Sequence, residues 1–116
     1  SPEDRLRRVI REVLRAYKGA DHEHQVQISA LSALPDDQQD RMRAYQRDMV
    51  KFMGGCLHDV APAVFAAHPE KLRGVTMSVY GMLNWYFMWN AQAEAQERDD
   101  YADLVCDLTL RGLPGL

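Results

Sequence analysis

Apolar residues near the start of the chain return every three or four positions. Leu6, Val9, Ile10, Val13, Leu14 and Tyr17 form one stripe, the spacing of a helix with one buried face. Arg5, Arg7, Arg8, Arg11 and Arg15 fill much of the remaining surface. Ser1 can cap this helix, Pro2 suits its first turn, Glu3 and Asp4 favour the positive end of its dipole, and Gly19 is a natural stop. The pattern predicts a helix over 2–18. A second helix is predicted from Asp21, carrying Val26, Ile28, Leu31 and Leu34 before Pro35 ends it. Asp36 or Asp37 would cap a longer third helix, with Met42, Tyr45, Met49, Phe52, Met53, Cys56, Leu57 and Val60 at helical spacing. Its interior pair Gly54-Gly55 should either kink it or let another helix approach. Pro62 and the stretch 66–69 break the pattern. A fourth helix is predicted from about Glu70 to Asn90. Residues 91–97 would extend it or form a polar connection. Asp99 or Asp100 would cap a last helix reaching Arg111, terminated by Gly112, Pro114 and Gly115. No segment alternates with period two and no Asn-Gly hairpin turn occurs. The chain reads as an all-α bundle of about five helices.

Two of these helices carry more apolar surface than one core contact can absorb. In the last, Tyr101, Leu104, Val105 and Leu108 form one stripe, and Ala102, Cys106, Thr109, Leu110 and Leu113 form another. The fourth has Leu72, Val75, Val79, Leu83 and Phe87 on one side, with Met77, Tyr80, Trp85 and Met88 elsewhere. Gly74, Ser78 and Gly81 lie along one line of it, small residues that permit close helix approach. A domain of this size can hardly surround two such helices. The economical solution is a homodimer in which both meet their copies in a four-helix bundle. Gly74, Ser78, Gly81, Leu104 and Leu108 are then candidate interface residues. The alternative makes the fourth helix the central core helix of a monomer.

Composition narrows the function classes. The 116 residues fit one domain, 1–116, and 47% hydrophobic with 27% charged residues argues against disorder. A net charge of -3 offers no basic face on balance for duplex DNA. Cys56 and Cys106 lie among apolar residues without a partner at zinc spacing. They read as buried free thiols in a reducing compartment, which points to the cytoplasm. No apolar run approaches the length that spans a bilayer, so no membrane association is expected.

The candidate chemistry is sparse. His22 and His24 diverge on a helix, where ligand pairs want a spacing of three or four, so capping or solvent exposure suits them better than metal binding. Asp36, Asp37, Asp40 and Asp99, Asp100, Asp103 are carboxylate clusters at predicted helix starts, where the dipole favours negative charge. No nucleophile or phosphate-binding motif appears, so neither enzyme activity nor a cofactor is expected. The aromatic and methionine residues say more. Tyr45, Met49, Phe52 and Met53 on the third helix, with Trp85 and Trp89 on the fourth, combine adaptable thioethers with rings that carry polar handles. They suit the wall of an apolar cavity enclosed by the first four helices. The plainer alternative is that they fill the core.

The run Gly81-Met82-Leu83-Asn84-Trp85 with Trp89, then Tyr101-Ala102-Asp103-Leu104-Val105 and Leu110-Arg111-Gly112-Leu113, resembles the end of TetR/AcrR-family transcription regulators. Ser1-Pro2-Glu3-Asp4-Arg5-Leu6 looks like the helix that follows their DNA-binding domain, and 21–35 is similar to the next one. The resemblance implies the effector-binding and dimerisation half of a repressor. It implies that roughly fifty upstream residues with a helix-turn-helix are absent here, so DNA would be met only through that missing domain. The effector it implies is a small apolar molecule, an acyl or aromatic coenzyme A thioester or the free acid. One departure is the stretch 90–100, without Gly or Pro, where many relatives place a Gly-containing loop. The competing reading is a helical protein-interaction module that binds a partner helix. A metal-dependent helical-bundle enzyme is more distant.

Overall fold

The computed structural model describes residues 1–16 and 35–116. Five α-helices occur among them: α1 (Pro2–Ala16), α2 (Asp36–Val60), α3 (Pro62–Ala67), α4 (Lys71–Asn90) and α5 (Ala95–Gly112), followed by a 3-10 turn, Leu113–Gly115. The predicted second helix, with His22 and His24, lies outside the described residues, as do Tyr17 and Gly19. The agreement on five helices therefore has a different composition, because α3 was read only as a break. Pro62 sits in its first turn, where the missing N–H costs nothing, and Phe65 is buried.

Helix α1 forms as its pattern requires. Ser1 Oγ accepts a hydrogen bond from the Asp4 N–H at 3.2 Å, and Leu6, Ile10, Val13 and Leu14 are buried. In α2 the predicted Asp cap shifts by one residue. Pro35 occupies the cap position and its carbonyl accepts from the N–H groups of Gln38 and Gln39, while Asp36 and Asp37 fall in the first turn. Gly54-Gly55 does not interrupt the helix. A Cβ on Gly54 would stand 3.4 Å from Thr76 Oγ1, whereas at Gly55 no described atom lies within 4 Å. Gly54 is thus where α2 and α4 pass closely.

The largest boundary correction is at α5. It begins at Ala95, not at Asp99 or Asp100, because Glu94 and Glu97 form a reciprocal capping box. The connection shrinks to a short turn after Asn90, and Asp99 and Asp100 become interior helical residues. The core lies where α1 is enclosed by α2, α4 and α5. Leu6, Ile10 and Leu14 meet Met53, Cys56, Leu57, Val79, Leu83, Val105 and Cys106 there. Both cysteines are free and buried, and burial pushes both thiols up from their ordinary range, which keeps them in the unreactive form. Among the described residues no helix is long and apolar enough to cross a membrane.

Candidate functional site

The surplus apolar surface on the last two long helices stays outside the core. On α4, Gly74, Met77, Ser78, Gly81, Trp85 and Met88 follow one another at three- and four-residue steps, and all are exposed. Trp85 is 59% exposed, although it was expected to line a cavity. A Cβ added at Gly74 or Gly81 would meet no described atom, so these glycines leave open space above the helix. The inward face of α4 takes Thr76, Val79, Tyr80, Leu83, Tyr86 and Phe87. On α5, Leu104 and Leu108 are 52% and 57% exposed, while Ala102, Val105, Cys106 and Thr109 are buried. Val105 therefore belongs to the core stripe and not with Leu104 and Leu108.

The expected cavity residues fall into several settings. Met53 is in the core and Met49 packs against it. Phe52 is exposed, with the Arg5 guanidinium 5.6 Å from its ring centroid. Tyr45 is exposed on the outer half of α2. Trp89 stands edge-on to Tyr86 and Tyr101, at centroid distances of 4.8 and 5.3 Å, and those two tyrosines stack at 4.5 Å. Phe52 thus faces α1 and Trp89 faces α5. The segment expected to supply the remaining wall lies outside the described residues. Asn90 Nδ2 donates to Tyr86 Oη and to Glu97 Oε2, and burial raises the Tyr101 hydroxyl.

Two polar constellations escaped the sequence reading. The first is a ladder between α1 and α5. Arg7 Nη2 donates to Asp107 at 2.8 Å, Arg11 Nε and Nη2 grip Asp103 at 3.0 and 2.7 Å, and Arg15 Nε and Nη2 grip Asp99 at 2.8 and 2.5 Å. Each step of four along α1 matches a step of four back along α5, so the helices run antiparallel in one register. The guanidinium of Arg11, with Arg7 beside it, holds the Asp103 carboxyl below its ordinary range, and Arg15 does the same for Asp99. The second is Arg98, which is 1% exposed. Its Nε donates to the Ala93 carbonyl at 3.0 Å, Nη1 to Leu14 at 3.3 Å and Nη2 to Ala91 at 3.5 Å, and the guanidinium lies 5.6 Å from the Tyr86 ring centroid. Leu14 and Ala91 lie at the carboxyl ends of α1 and α4, where orphan carbonyls and helix dipoles concentrate partial negative charge. These backbone carbonyls help to hold the buried cation in place. Among the described residues no group of three His, Cys, Asp or Glu side chains is placed to hold a metal.

This architecture has close counterparts. A family model for the tetracyclin repressor-like C-terminal domain matches residues 1–113. The crystal structure of a TetR-family transcriptional regulator from Bordetella parapertussis superposes over 100% of this chain with a TM-score of 0.83 and 28% sequence identity. The chain spans 60% of that regulator's length. Among curated proteins no significant match was found. The family is a regulatory one and not enzymatic. The chain belongs to the TetR family of transcriptional regulators, of which it is the C-terminal domain.

Proposed function

We propose that this domain is the ligand-sensing and dimerisation half of a regulator that acts as a homodimer and meets DNA through a domain preceding Ser1. The observation that carries the reading is the exposed apolar face of α4 and α5: Met77, Trp85, Met88, Leu104 and Leu108, with Gly74, Ser78 and Gly81 among them. Two large leucines one turn apart on each copy suit a four-helix contact, and small residues on α4 let two backbones come close. Trp85 is reassigned by this reading from a cavity wall to the interface.

The effector is a small apolar or acyl-type molecule, sensed through α2 and α4. Support comes from the thioether and aromatic side chains that α2 carries at Tyr45, Met49, Phe52 and Met53, and from the family's regulatory role. The two buried free thiols suit a reducing compartment, the cytoplasm. The test is a thermal-shift screen of free fatty and aromatic acids beside their coenzyme A thioesters. A ligand that binds the folded state alone stabilises it by about 2.7 kcal/mol at a hundredfold excess over its dissociation constant. Stabilisation by at least one class supports the sensor role, and free acids acting without thioesters would remove only the thioester assignment. No response from any of them, with melting also independent of protein concentration, would favour a module that binds a partner helix.

A further inference from the structure

We infer that the exposed stripe of α5 pairs antiparallel with the same stripe of a second copy, and that Asp100 and Arg111 select that partner by their charges. The inference rests on the homodimer reading above and adds the direction, the register and the residues that decide between partners. Asp100, Leu104, Leu108 and Arg111 follow one another at steps of four, four and three, so they share one face of the helix. All four are exposed. An acid, two leucines and a base therefore stand in a row.

Charge identifies the occupant. The other aspartates of α5 are engaged within the chain, Asp99 by Arg15, Asp103 by Arg11 and Asp107 by Arg7. Asp100 accepts from Gln96 Nε2 at 2.8 Å. Among the described residues Asp100 has no cation beside it and Arg111 no carboxylate. Helix α4 repeats the polarity of α5. It carries no acidic residue, and its cations, Lys71 and Arg73, stand at its amino end. There Lys71 Nζ donates to the Leu116 carbonyl, just beyond the end of α5, at 2.9 Å. The exposed face of α4 and α5 is thus basic at one end, acidic at the other and apolar between. Such a face complements its own copy when the two run in opposite directions.

Helix geometry sets the register. A two-fold axis midway between Leu104 and Leu108 places Leu104 of one copy against Leu108 of the other. At roughly 1.5 Å per residue, Asp100 lies about 9 Å from that midpoint on one side and Arg111 about 7.5 Å on the other. Arg111 of one copy therefore reaches Asp100 of the other, and symmetry makes the bridge twice. A parallel pairing would set Asp100 against Asp100 and Arg111 against Arg111, which repel. A helix with a similar apolar stripe but another order of charges loses both bridges, so the pair favours an identical chain.

The experiment uses the full chain in two differently tagged forms, Asp100→Arg and Arg111→Asp, both at exposed positions that leave the core untouched. Each variant alone should dimerise about tenfold more weakly than the wild type at low salt, because two attractions become two repulsions. Helicity should be unchanged. Mixed, the two should form the two-tag dimer in excess over either single-tag dimer, and the double reversal in one chain should recover wild-type dimerisation. Direction is read separately with a short bismaleimide, which the buried Cys56 and Cys106 should not meet. Asp100→Cys and Arg111→Cys chains should crosslink to each other and neither to itself. Crosslinks between like positions, single reversals that dimerise as the wild type does, or no excess of the two-tag dimer would overturn the proposal and leave the homodimer standing. A monomeric wild type would instead undo the functional reading on which it rests.

Discussion

Arg15, in the last turn of α1, grips Asp99 of α5 with two parallel hydrogen bonds, Nε to Oδ1 at 2.8 Å and Nη2 to Oδ2 at 2.5 Å. It is the end rung of a ladder whose other rungs repeat at the same spacing along both helices. The fork of an arginine matches a carboxylate in one orientation, so a series of such pairs specifies register as well as proximity.

The ladder predicts an acid sensitivity. Asp99 and Asp103 have folded-state values held down by their arginines, so the stability they contribute is complete above the ordinary carboxylate range. It is lost as pH falls from about 4 through the depressed values. Thermal melting between pH 6 and pH 2, where α1 and α5 should separate early, checks this. The double variant Asp99→Asn/Asp103→Asn should be less stable at pH 6 and show a flatter pH dependence than the wild type. Parallel curves for the two proteins would contradict it.

Arg98 should be the costliest polar side chain to remove. Arg98→Met leaves the Leu14, Ala91 and Ala93 carbonyls short of a donor in a buried setting, a loss of about 2–4 kcal/mol. Arg98→Lys should rescue little, because an ammonium cannot spread its donors over three carbonyls in a plane. Urea midpoints with unchanged slopes would report it. A cost below about 1 kcal/mol for Met would show that the helix ends do not depend on this cation.

Adjacent glycines should respond in opposite directions. Gly55→Ala should stabilise α2 by about 0.5–1 kcal/mol, since alanine is the better helix former and no described atom opposes its methyl. Gly54→Val should destabilise by about 1–3 kcal/mol, by driving α2 away from Thr76. The same denaturation series measures both, and equal effects would mean that Thr76 does not define the approach.

Much of this fold is legible in the apolar spacing. The stripe of α1 and the burial of both cysteines follow from it, because a helix with one greasy face has one way to join a core. The surplus stripes on α4 and α5 were also readable, and Leu104 and Leu108 are exposed as that surplus requires. Polar partnership was not readable. Asp99 and Asp103 look like dipole-serving residues at a helix start, and only the capping box at Glu94 moves that start upstream and frees them to face Arg15 and Arg11. Arg98 follows an acid-rich connection and gives no local sign of burial, since one of its partners is the Leu14 carbonyl, 84 positions away. The sequence could not place Trp85, because an aromatic side chain suits a cavity wall and an interface equally well, and the structure leaves it 59% exposed.

Sedimentation equilibrium on the domain across a range of micromolar concentrations tests the central claim most directly, because the account rests on α4 and α5 meeting a second copy. The wild-type protein should sediment at twice its 13.3 kDa chain mass, as the large apolar contacts of obligate dimers do. Leu108→Glu, which places a charge on the exposed stripe without touching the core, should return it to the chain mass with its helicity kept. A wild-type protein that remains at the chain mass throughout, or a Leu108→Glu variant that dimerises as well as the wild type, would contradict the account.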